Sequence, residues 1–83
     1  MNELPHIGEA IKAELKRQGR SVAWLAMKMH TSRQNIYRIL QHKWIYTDVL
    51  LKICDIMDYD FFEWLSDYWN TKKRNETDDT IVK

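Results

Sequence analysis

A chain of 83 residues with two Gly, one Pro and one Cys has room for one small domain and one modest core, and little room for an enclosed catalytic cleft. So few turn formers argue for helices over many short strands. Cys54 alone makes no internal disulfide and fits a reduced, cytoplasmic setting, and no apolar run approaches the ~20 residues of a membrane span. The net charge of +1 hides a division: residues 1–43 hold eight Lys/Arg and three Asp/Glu, a net +5, while residues 44–70 hold one Lys and six acids, a net −5. That division implies one face for a polyanion and another turned away from it. Met1 to Leu15 has no apolar stretch of the signal-peptide kind.

Five helical periods follow in order. The first spans Ile7 to Gln18, with Ile7, Ala10, Ile11 and Leu15 inward and Gly19 as the residue that stops it. The second starts after Ser21, an N-cap, and ends near Met29; Val22, Leu25, Ala26 and Met29 are its apolar set. His30 and Thr31 form a tight break. Ser32 then caps a third helix from Arg33 to Leu40 or Gln41, with Ile36, Ile39 and Leu40 inward. After a loop from His42 to Tyr46, Thr47 is placed to cap a fourth helix running to Met57, with Leu50, Leu51, Ile53, Cys54 and Met57 apolar. Asp60 and Glu63 have capping-box spacing at the start of a fifth helix. From residue 71 the apolar period is lost. The domain is therefore expected over residues 1–70, and residues 71–83 as a flexible polar C-terminal tail.

The third helix carries the chemistry. Its outer side presents Arg33, Gln34, Tyr37, Arg38 and Gln41. An Arg fork matches guanine O6 and N7, and an amide matches adenine N6 and N7, in the major groove of duplex DNA. In a helix-turn-helix the second helix lays its N-terminal part in that groove, so Arg33, Gln34 and Arg38 are the expected base-contacting set. Ser32, Asn35, Tyr37, Gln41 and Lys43 flank them and suit the phosphate backbone; Arg20 and Ser21 suit the neighbouring strand. An ordinary solvated amphipathic helix would also carry single Arg or Gln residues. The concentration of Arg, Gln, Asn and Tyr on one short helix beside a second at the right spacing favours a reading head.

From Ile7 to Phe62 the sequence resembles the Cro/repressor-type helix-turn-helix family, with its lambda-repressor-like fold. Ile7-Gly8-Glu9 with Ile11 and Leu15, then Ser21, Leu25-Ala26 and Met29, then Ser32-Arg33, Ile36 and Arg38-Ile39, then Leu50-Leu51-Lys52-Ile53-Cys54 and Met57 match its ordered pattern. The resemblance implies an all-α, compact five-helix bundle, base contacts from Arg33, Gln34 and Arg38, and phosphate contacts near Ser21, Asn35, Gln41 and Lys43. The chain departs from the family at four places. His30 stands where the turn usually has Gly, which is more easily held at positive φ. His42 stands where a Gly often follows the recognition helix. Val22 replaces a polar residue, often Gln, that supports a phosphate contact, and Trp24 replaces a position usually polar and exposed.

His6, His30, His42 and Cys54 lack metal-ligand spacing, and there is no nucleophile–base motif or Gly-rich phosphate loop. No cofactor, small-molecule ligand or catalysis is expected. In the fifth helix, Phe61, Phe62, Leu65 and Trp69 are expected to pack on the first and fourth helices. That leaves Trp64 and Tyr68, with Trp69 at the edge, as a partner surface that would make a homodimer on DNA. The expected function is a sequence-specific DNA-binding transcriptional regulator of the repressor type, its partner double-stranded DNA. The alternative is a protein-interaction module such as the antitoxin of a toxin–antitoxin pair.

Overall fold

The computed structural model describes residues 5–82, with side chains described through residue 73. Five helices form: α1 (Ile7–Arg17), α2 (Val22–Lys28), α3 (Arg33–Leu40), α4 (Thr47–Met57) and α5 (Phe61–Val82). Among the described residues there is no strand.

One core joins all five. Ile7, Ile11 and Leu15 of α1 meet Leu25 and Ala26 of α2, Ile36 and Leu40 of α3, Leu50, Ile53 and Met57 of α4, and Phe61 of α5. Burying a side chain of this size contributes about 1.5–3 kcal/mol. The core therefore comes from the inward stripes that the sequence period defines. Leu51 is the exception among the expected α4 residues: it is exposed, because Leu50, Ile53 and Met57 (i, i+3, i+7) set the phase.

Three helices end in the left-handed conformation. Gly19 (φ 71), His30 (φ 58) and Asp58 (φ 53) each reverse the chain. At the first two the bonds are those of a Schellman stop: Gly19 N–H donates to Lys16 C=O and Arg20 N–H to Leu15 C=O; His30 N–H donates to Met27 C=O and Thr31 N–H to Ala26 C=O. The turn keeps its geometry with His in place of Gly.

The helix starts follow the expected caps with one correction. Ser21 Oγ accepts from Trp24 N–H at 3.0 Å, Ser32 Oγ from Asn35 N–H at 3.1 Å, and Asp60 Oδ1 from Glu63 N–H at 2.9 Å. Thr47, however, is the first residue inside α4 rather than its cap; Tyr46 precedes it without a side-chain bond, and Asp48 Oδ1 accepts from Val49 N–H instead.

Glu14 lies inside the α1 stripe and is buried. Arg17 donates to its carboxylate through Nε at 2.8 Å and through Nη2, and Gln18 Nε2 donates at 2.7 Å. The Arg17 hydrogen bond outweighs the opposing effect of burial and holds the carboxyl below the ordinary carboxylate range. Gln18 Nε2 also reaches Met57 C=O at 3.0 Å, which ties the end of α1 to the end of α4.

The backbone of α5 is helical from Phe61 to Val82. No Gly or Pro interrupts residues 61–82, and Lys, Arg and Glu are good helix formers. The inward stripe of α5 is rotated from the expected one. Phe61 is fully buried, and Trp64 and Leu65 pack partly against the core, while Phe62 and Trp69 are exposed. Phe61, Trp64, Leu65 and Tyr68 (i, i+3, i+4, i+7) form one face, and Phe62 and Trp69 fall off it.

Candidate nucleic-acid interface

Helix α3 packs against α1 and α2 through Ile36 and Leu40. Its opposite side carries Arg33, Gln34, Tyr37, Arg38 and Gln41, all exposed. The spacing 33, 34, 37, 38, 41 keeps them on one face of an α-helix. Among the described residues none of Arg33, Arg38 and Lys43 is in an ion pair with a carboxylate, so their charge is free to meet an anion.

The C-terminal end of α3 is held by α1. Ile7 N–H donates to Lys43 C=O at 3.2 Å and Gly8 N–H to His42 C=O at 3.3 Å. His6 completes the clamp. Its Nδ1 accepts from Glu9 N–H at 3.1 Å, so the proton of the neutral ring sits on Nε2, which donates to Gln41 C=O at 3.1 Å. Orphan donors of one helix thus satisfy carbonyls that follow another. Gly8 permits this approach: a Cβ there would lie 1.9 Å from Leu40 O. In sequence His6 reads as a surface histidine; its place one residue before the first apolar period was the available sign of a cap.

At the N-terminal end the fixing is local. Besides the Ser32 cap, Asn35 Nδ2 donates to Thr31 Oγ1 at 3.0 Å, and Arg38 Nη2 donates to Asn35 Oδ1. Asn35, expected to flank the reading face, is half-buried and engaged on both sides of its amide. Ser21 and Ser32 accept backbone N–H groups, and each hydroxyl keeps its proton to donate to a phosphate.

Ahead of α2, the Arg20 guanidinium stacks 4.1 Å from the centroid of the Trp24 ring, and Lys28 Nζ lies 6.0 Å from it. Trp24 is half-buried, not exposed as the sequence suggested, and it holds Arg20 by cation–π attraction. Between α3 and α4 a groove of about 410 Å³ opens, walled by Asn35, Arg38, His42, Trp44, Tyr46 and Val49. Trp44 (69 % exposed) and Tyr46 (79 % exposed) stand on its rim, the Trp44 ring 5.3 Å from that of His42. Of the expected partner surface on α5, Trp64 turns toward the core and Tyr68 is half-buried; Trp69, 54 % exposed with Lys73 Nζ 5.9 Å from its ring, stays open.

Among the described residues no three His, Cys, Asp or Glu side chains gather to hold a metal ion, and no helix is long and apolar enough to cross a membrane. No curated protein and no solved structure matches the chain with significance. A family model does: that of the Cro/C1-type HTH DNA-binding domain, over residues 10–66. Those residues span α2, the turn and α3 together with most of α1, all of α4 and the start of α5. More than half of the chain is matched and its helices fall in the required order, so this protein belongs to the Cro/C1-type helix-turn-helix DNA-binding family.

Proposed function

We propose that this protein is a sequence-specific regulator that lays α3 in the major groove of double-stranded DNA and represses by occluding a promoter. The observation that carries this reading is the division of α3 into two faces. Ile36 and Leu40 are buried, while Arg33, Gln34 and Arg38 stand exposed without carboxylate partners among the described residues. Arg33, Gln34 and Arg38 contact bases. Ser32, Tyr37, Gln41, Lys43, Ser21 and Arg20 contact the sugar–phosphate strands. The chain acts in the cytoplasm as a homodimer on DNA, two copies reading half-sites about one helical turn apart. Trp69 is the open residue of the α5 surface that would join them.

Selection of bound duplexes from a random pool tests the reading. A palindromic motif is expected. Arg33→Ala with Arg38→Ala then costs about 1–3 kcal/mol per lost base contact and relaxes preference at those bases, whereas Lys43→Ala weakens all duplexes evenly and lowers the salt slope by about 1. If no duplex is enriched, the reading fails, and a protein-interaction module of the antitoxin kind takes its place. Strictly monomeric sedimentation, with and without the selected duplex, removes the dimer alone.

A further inference from the structure

We propose that Thr31, which lies in the turn and outside the reading face, is a positioning residue that fixes through Asn35 which base Arg38 reads. The inference rests on the major-groove reading of α3. Its observation is the unbroken chain of side-chain bonds Thr31–Asn35–Arg38. Asn35 Nδ2 donates to Thr31 Oγ1 at 3.0 Å, and Arg38 Nη2 donates to Asn35 Oδ1.

The chemistry of the three groups fixes the direction of this chain. A guanidinium only donates, so the Asn35 oxygen must face Arg38. The Asn35 NH2 group is then left facing Thr31, whose hydroxyl oxygen accepts. Turning the amide over would set two donors against each other at Arg38. Arg38 thus sets which way the amide faces, Thr31 holds it in place from the other side, and the held amide offers one acceptor to one end of the Arg38 fork. The remaining donors of Arg38 stay open for a base edge.

The backbone makes Thr31 a firm base for the relay. Its N–H is bound to Ala26 C=O at 3.0 Å in the stop of α2, and its side chain is half-buried. Asn35 and Arg38 are three residues apart on α3, a spacing at which helical side chains meet, while Thr31 is brought to Asn35 by the turn that precedes the Ser32 cap. An exposed Arg without such a tether has many rotamers and reaches phosphates as readily as bases. The tether removes that freedom before DNA arrives, which favours a bidentate contact with one base over looser alternatives.

The test uses the full chain and the duplex selected above, with a panel carrying each single base-pair change. Arg38→Ala first identifies the base pair that depends on Arg38. Thr31→Val keeps the branched shape and removes the hydroxyl. It is expected to cut discrimination at that same base pair about fivefold, out of the tenfold or more that a bidentate Arg–guanine contact supplies, with other positions and the salt slope unchanged. Thr31→Ser, which restores the hydroxyl, is expected to restore the preference. With Arg38→Ala in place, Thr31→Val adds nothing.

Unchanged discrimination in Thr31→Val, or an even loss over all base pairs, overturns the relay while the reading of α3 stands. If Arg38→Ala alters no base preference, the relay falls together with the place of Arg38 in the base-contacting set, while Arg33 and Gln34 still test the reading of α3. A thermal melt of each variant checks the fold, and should Thr31→Val unfold, Asn35→Ala in the same panel decides by whether it flattens the Arg38 base pair alone.

Discussion

The two ends of α3 are held by different means. At the C-terminal end, backbone and His6 donors of α1 reach across more than thirty residues of sequence to the carbonyls of Gln41, His42 and Lys43, with Gly8 against Leu40. At the N-terminal end the side-chain bonds are local: Ser32 to Asn35, Thr31 to Asn35, Asn35 to Arg38. One end is set by the fold, the other by its own side chains. The arrangement separates stability from recognition. The clamped end fixes where α3 points, while Arg33 and Gln34 open the locally tied end and Arg38, in the last turn, is joined to that end through Asn35.

Breaking the clamp gives the largest effect. Gly8→Ala places a Cβ 1.9 Å from Leu40 O, a backbone atom that cannot swing aside. The α1 start must lift, and the bonds to His42 and Lys43 go with it. A loss of about 3 kcal/mol is expected, at the upper part of the usual overpacking range, read as a fall in urea midpoint. An unchanged midpoint means α1 does not approach α3 as described.

Ser32→Ala probes the other end. It removes the acceptor for Asn35 N–H at 3.1 Å and is expected to cost about 1 kcal/mol. The damage is expected to stay local: amide hydrogen exchange speeds at Asn35 and its neighbours, while protection at the fully buried Ile11 and Ile53 falls only by the global loss. Equal acceleration at the clamp would show that the two ends act as one.

The contrast also explains what the sequence discloses. Amphipathic periods and short-range caps are local, so four of the five helix starts and the caps at Ser21, Ser32 and Asp60 can be read directly, and so can the outward side of α3. Long-range features cannot. Nothing near His6 names Gln41 as its partner, and Gly8 shows its purpose only once Leu40 lies against it. In α5, Phe61, Phe62, Trp64, Leu65, Tyr68 and Trp69 form one broad apolar arc opposite Glu63, Ser66 and Asp67, wider than the core can cover; the contact of Phe61 with the core decides that the Phe62–Trp69 edge stays open. The Thr31–Asn35–Arg38 chain lies between these cases. Its i, i+4 and i, i+3 spacings are visible, but only the geometry shows the bonds made.

The smallest effect comes from the turn before α3, and its sign is the informative part. His30 sits at φ 58, where an L residue with a Cβ is strained and glycine is not. Its side chain is exposed, so little packing offsets that strain. Replacing it by Gly removes the strain but gives the unfolded chain more freedom, which cancels part of the gain. A net stabilisation of about 0.5 kcal/mol is expected, a rise in Tm of roughly 2–4 °C for a domain of this size. Gly19→Ala is the matched control at φ 71. Nothing lies within 4 Å of the added Cβ, so backbone strain acts alone and stability should fall by about 1 kcal/mol. Opposite signs at the two stops establish that both helices end by the same left-handed device. If His30→Gly lowers Tm instead, the ring supplies a contact that its exposure does not reveal, and the N-terminal end of α3 is less self-contained than its bonds imply.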